Sequence, residues 1–91
     1  MKARGESKVV TVEVVLEETT EQTEAKALLE LGGERLGGWG RAVRNPRDPE
    51  RPRIGEELAT ARALSDLSHK LLEAAASAIE EYEGRRVHVH G

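Results

Sequence analysis

From Val9 to Glu17 the chain alternates. Val10, Val12, Val14 and Leu16 fall on one side, and Val9, Thr11, Glu13, Val15 and Glu17 on the other. A period of two carried by β-branched residues predicts a strand. Glu17 to Gln22 is a polar connection. The next segment, Thr23 to Leu31, fits two templates. Its residues are good helix formers, yet Thr23, Ala25, Ala27, Leu29 and Leu31 alternate with Glu24, Lys26, Leu28 and Glu30. Gly32-Gly33 favours the strand, because glycine accepts the positive φ of a two-residue hairpin turn. Centred there, the hairpin pairs Glu30 with Arg35, Leu29 with Leu36, Lys26 with Trp39 and Glu24 with Arg41. Two of these pairs join opposite charges and one sets an ammonium against an indole. The other face becomes a floor of leucine, alanine and glycine.

Beyond the hairpin, Asn45 to Arg53 (NPRDPERPR) holds all 3 prolines of the chain and reads as a semi-rigid loop. A long amphipathic helix then starts near Gly55 or Glu56, with both glutamates in its first turn. Its apolar stripe runs through Leu58, Ala61, Leu64, Leu67, Leu71, Ala75, Ala78 and Tyr82, widened by Leu72 and Ile79. Arg62–Asp66 and Asp66–Lys70 are i,i+4 pairs expected on the wet side. Gly84 is the expected C′ residue. The alanines of this helix can meet the Ala/Gly floor of the sheet closely. About 28 residues would span roughly 40 Å, more than the strands beneath, so the distal end should project or meet another chain. The tail RRVHVHG has the alternation of a short fourth strand.

The expected fold is therefore α+β. A three-stranded antiparallel sheet, with a short fourth strand at the tail as an option, carries one long helix on one face. Residues 1–8 form a flexible tail and 9–91 a single domain. Val10, Val12, Val14, Leu16, Leu29 and Leu36 should pack on Leu64, Leu67, Leu71 and Ala75.

Composition adds limits. The chain has 91 residues, no Phe, 1 Trp and 1 Tyr, so the core is thin, and small thin-cored domains often gain stability by pairing. The opposite sheet face keeps Val9, Val15, Leu28 and Trp39 among its charges, a second reason to expect a homodimer. There is no cysteine, which removes disulfides and thiolate chemistry and suits a reducing cytoplasm. No apolar run approaches a membrane span, and no signal peptide is visible. Net charge is −3, against a dedicated nucleic-acid binder. The charge is unevenly spread, however. Arg41, Arg44, Arg47, Arg51 and Arg53 crowd one loop against Asp48 and Glu50.

Candidate chemistry is sparse. His88 and His90 would share one side of a strand, but a third metal ligand is not evident. Ser65 and His69 lie i,i+4 on a helix without a buried acid or an oxyanion hole, so no catalytic residue is assigned. GGERLGGWGR lacks the Gly-Lys-Ser/Thr of a phosphate loop and reads as glycines that let a helix approach. No cofactor, metal or small-molecule substrate is indicated, and no enzyme is expected. The arginine cluster remains: guanidinium groups on a constrained loop can grip phosphates, and Trp39 can stack on a base. The RNA-contact candidates are Trp39, Arg41, Arg44, Arg47, Arg51 and Arg53.

The stretch Ala42-Val43-Arg44-Asn45-Pro46, then IGEELATARALSDLSHKLLEAA from Ile54, resembles a family of small actinobacterial domains of unknown function. The resemblance runs from Val9 to about His90 and is most specific from Asn45 to Leu72. It implies a double-stranded-RNA-binding-like α+β fold, homodimerisation, an association with dormancy or stress, and a likeness to ribosome hibernation factors. The function expected is a non-enzymatic stress protein that docks on the ribosome or RNA through its arginine loop. The alternative is an interaction or scaffold homodimer with no nucleic-acid role.

Overall fold

The computed structural model describes residues 5–45 and 51–90, with side chains through residue 84. The order is β1 (Val12–Glu18), β2 (Gln22–Leu31), β3 (Glu34–Val43) and α1 (Pro52–His90). The strands form an antiparallel meander, β1-β2-β3, under one helix. This is the α+β architecture that the alternation predicts. The hairpin register is also as expected, including Glu30 opposite Arg35, Lys26 opposite Trp39 and Glu24 opposite Arg41. Gly32 and Gly33 turn the chain at φ of 61° and 81°, where a side chain would be strained. Thr23–Leu31 is thus strand, because its cross-strand partners outweigh its helix propensity.

Between helix and sheet the packing is backbone-close. A Cβ added to Gly38 would come within 2.8 Å of Leu67 Cβ and overlap the Ala63 carbonyl. One added to Gly40 would overlap the Ala59 carbonyl and stand 2.8 Å from the Arg62 carbonyl carbon. The expected reason for these glycines, close approach of a helix, is met. The buried cluster is Ala25, Ala27, Leu29 and Ala42 from the sheet with Ala59, Ala63 and Leu67 from the helix. Val14, Leu36 and Leu71 pack at its margin.

Several expectations are corrected. The helix's buried ridge is Ala59-Ala63-Leu67-Leu71, whereas Leu58, Ala61, Leu64, Ala75, Ala78 and Tyr82 are exposed. Counting leucines alone places the stripe wrongly, because glycine on β3 calls for alanine above it. The first strand begins at Val12, not Val9. Val12, Val14 and Leu16 do share the face of Ala25, Ala27 and Leu29, as the register requires. Only Val14 is half-buried; Val10, Val12 and Leu16 are exposed. The reason is width: one helix centred on β3 and β2 barely reaches β1.

The helix starts at Pro52, suited to a first-turn position where its missing N–H costs nothing, so Glu56 and Glu57 lie beyond the first turn. It continues through Gly84 to His90, so Gly84 is not a C′ residue and the tail is not a fourth strand. The strand geometry behind the His88–His90 metal reading is therefore absent. A helix of 39 residues is about 58 Å long, against roughly 33 Å for a ten-residue strand. Its distal part projects, as expected. The radius of gyration is 19.1 Å, where a compact chain of this length would have about 12 Å.

Candidate nucleic-acid interface

The sheet's outer face carries no covering element among the described residues. Because β-strand side chains alternate, the residues opposite the buried set share this face. They are Glu13, Val15 and Glu17 on β1; Glu24, Lys26, Leu28 and Glu30 on β2; and Arg35, Trp39 and Arg41 on β3. Trp39 lies midway along the edge strand β3, 46% exposed, with Lys26 opposite it on β2 and Val15 beyond on β1. The Arg41 guanidinium stands 5.7 Å from the centre of the indole. Arg35 is held by Glu30 at 2.7 Å. This surface offers a half-exposed indole beside cations, interrupted by glutamates.

The other candidate arginines are not all on that face. Arg44 is half-buried, and its Nε donates to the Thr20 carbonyl at 2.9 Å. Arg44 and Arg51 both line a cleft of about 310 Å³ with Thr19, Thr20, Thr23 and Gly55, at the start of the helix. Arg53 is exposed and bonds Glu57 at 3.0 Å. Arg47, with Pro46, Asp48, Pro49 and Glu50, lies outside the described residues, and with it the expected loop stiffness. At the margin of the same cleft, a hydrogen bond shared with Glu56, with desolvation and repulsion from its charge, raises the Glu18 carboxyl above its ordinary value.

The clearest polar construction in the fold was not anticipated. Arg62 and Lys70 are exposed and Asp66 is half-buried, and Asp66–Lys70 forms the expected i,i+4 pair, yet all three also reach the edge of the sheet. Arg62 Nη1 donates to the Arg41 carbonyl at 2.8 Å, the Trp39 N–H donates to Asp66 Oδ2 at 2.9 Å, and Lys70 Nζ donates to the Gly37 carbonyl at 2.8 Å. These are the outward backbone groups of the edge strand β3. The match is dimensional: four helical residues rise about 6 Å and two strand residues about 6.7 Å, so an i,i+4 ladder can follow alternate residues of a strand. An Arg-Asp-Lys ladder facing a glycine-rich strand is the signal that could have revealed it. The Trp39 N–H, then Lys70 beside it at 3.3 Å, hold the Asp66 carboxyl below its ordinary value. The clamp also fixes the backbone at both Trp39 and Arg41.

Ser65 and His69 are exposed, and His69 Nε2 lies 3.2 Å from Glu73. Among the described residues no group of three His, Cys, Asp or Glu is placed to hold a metal, and no helix is long and apolar enough to cross a membrane.

Comparisons with known proteins agree with this architecture. The chain is 44% identical over 73 residues to the uncharacterized protein Rv2632c of Mycobacterium tuberculosis, covering 80% of this chain and 78% of that one. It is 43% identical over 70 residues to the uncharacterized protein Mb1767 of Mycobacterium bovis, covering 77% and 74%. The crystal structure of Rv2632c superposes with a TM-score of 0.82 at 40% identity, covering 88% of this chain and 95% of the other. Residues 8–88 match the pattern of the Rv2632c-like family. The chain belongs to the Rv2632c-like family.

Proposed function

We propose that this protein is a non-enzymatic RNA-docking protein, with the ribosome in stress or dormancy as its setting. One observation carries the reading. Trp39 and Arg41 stand together on an uncovered sheet face, and their backbone is clamped from behind by Asp66 and Arg62. An exposed aromatic on a rigid sheet is a sequence-tolerant stacking platform, and adjacent guanidinium groups supply phosphate contacts. Arg44, Arg51 and Arg53 at the end of β3 and the start of α1 extend the cationic side. The glutamates on the same face limit affinity, and the cationic contacts to phosphate make binding fall with salt.

The test uses the single tryptophan of the chain as its own reporter. Single-stranded RNA should quench its fluorescence, and the protein should sediment with ribosomes at low salt and leave them at high salt. Four phosphate contacts imply a slope of log affinity on log salt of roughly −3. Replacing Arg41, Arg44, Arg51 and Arg53 by Gln should flatten that slope and end co-sedimentation. Unchanged binding would overturn the reading.

A second reading, a homodimeric interaction module without a nucleic-acid role, is supported by apolar side chains left in water. Val12, Val15 and Leu16 on β1 and Leu72, Ile79 and Tyr82 on the projecting helix are exposed. A monomeric mass at micromolar concentration would rule it out.

A further inference from the structure

The two edges of the sheet are treated differently. On β3 the helix occupies outward groups of Gly37, Trp39 and Arg41. This also settles the hydrogen-bond parity. In an antiparallel sheet the residues of a strand alternate between bonding inward and outward. Odd residues of β3 point outward, so its even residues bond to Ala25, Ala27 and Leu29 of β2. Glu24, Lys26 and Leu28 then bond to Glu17, Val15 and Glu13 of β1. The N–H and C=O groups of Val12, Val14 and Leu16 are left facing away from the sheet. Among the described residues, none hydrogen-bonds to them.

This open edge also lacks the usual guards. Val9 to Leu16 reads VVTVEVVL, with one charge and no proline, glycine or lysine. Side chains at Val12 and Leu16 are each 38% exposed on the helix side, at the rim that the helix does not reach. We propose that the β1 edge pairs with β1 of a second copy, antiparallel and centred on Val14, to make one continuous six-stranded sheet. The proposal rests on the homodimeric reading above and names its surface.

Charge selects the register. Partners across an antiparallel pair share a face, so the two-fold axis must pass through a residue. Centred on Glu13, the pairing sets Glu13 against itself. Centred on Val15, it sets Glu13 against Glu17. Centred on Leu16, it sets Glu18 against Val14 on the apolar face. Centred on Val14, it gives Val14–Val14, Val12–Leu16 and Glu13–Val15, with no like charges opposed, and Glu18 meets only the exposed Val10, which lies outside β1. The same centre makes Val14 a hydrogen-bonded pair, consistent with its outward backbone groups. The axis is perpendicular to the sheet, so both helices lie on one face and both Trp39 side chains on the other. The two β3 strands are then five strand spacings, about 24 Å, apart.

The absence of cysteine makes a direct test simple. In a hydrogen-bonded antiparallel pair the Cα atoms are about 5.5 Å apart, within disulfide range. The Val14→Cys protein should form a covalent dimer under mild oxidation, while Leu72→Cys, although more exposed, should not. Val14→Pro removes an outward donor that a monomer does not use, so circular dichroism should stay native. Its dimer dissociation constant, from sedimentation equilibrium, should rise about 100-fold, through two symmetric hydrogen bonds lost. A wild-type dimer that resists Val14→Pro and does not crosslink at Val14 would overturn this interface and leave the homodimer standing. A wild-type monomer would overturn both.

Discussion

The two halves of α1 share one helix and follow different rules. In the half from Pro52 to about Ala74 the helix lies on the sheet, and at Ala59, Ala63 and Leu67 it is pressed against the glycines of β3. From Ala75 to Gly84 each residue is exposed, including Ile79 and Tyr82. The near half shows that what fits beneath a helix is decided by the strand it touches. The far half shows that a helix can persist without a floor once its near half is anchored, because extension adds one hydrogen bond per residue fixed.

Matched substitutions sharpen this contrast. The largest effect should come from Gly40→Val or Gly38→Val. Each forces the helix off β3 at a cost of about 3 kcal/mol or more, enough to unfold much of a marginal domain. Thermal melts followed by circular dichroism would show it, and a melting temperature near wild type would mean that the helix does not lie as close as described. Next is a leucine pair. Leu67→Ala, in the core, should lose about 2–4 kcal/mol in urea unfolding. Leu72→Ala, 69% exposed, should change stability by less than about 0.5 kcal/mol. Equal losses would erase the distinction between the halves.

A glycine-to-alanine change should reverse sign along the helix. At Gly84 an added Cβ meets nothing, so Gly84→Ala should stabilise by roughly 0.5–1 kcal/mol through helix propensity. At Gly55 it would stand 2.8 Å from the Thr23 hydroxyl, and Gly55→Ala should destabilise. The smallest effects concern pH. The Asp66 carboxyl is lowered in the folded state, so its contribution is present above the unfolded value and is lost as pH falls through the folded one. The protection factor of the Trp39 amide, its exchange rate relative to the free-chain rate at the same pH, should fall over that acid range, and in Asp66→Ala at every pH. Glu18 is raised and has the opposite sign: its contribution is present below the unfolded value and fades as pH rises through the folded one. Glu56→Gln should flatten that second dependence in denaturation curves.

The hairpin was legible because its evidence is local and redundant. Gly32-Gly33 sets the turn, and Glu30–Arg35 and Glu24–Arg41 agree on the same register. The outward position of Trp39 and Arg41 follows from that alternation. The helix face was less legible: hydrophobicity points to leucine, whereas Gly38 and Gly40 select Ala59 and Ala63. Its length was underestimated because Gly84 looks like a stop, yet a glycine inside a helix costs only about 1 kcal/mol. The ladder of Arg62, Asp66 and Lys70 was hidden because its partners are main-chain groups, which carry no side-chain signature.

Glycine at Gly37, Gly38 and Gly40 has a consequence for how the molecule comes into being. The meander leaves the ribosome before the helix, and at that stage the buried face of its last strand offers only Leu36 and Ala42 around Gly38 and Gly40. A three-stranded sheet needs a hydrophobic face or a helix over it to be stable in water, and here the β3 part of that face is interrupted by glycine. The half of the core that completes it, Ala59, Ala63 and Leu67, is synthesised afterwards. The nascent chain therefore has no stable partly built form to rest in, and its strands and helix must settle together, late, in one cooperative step.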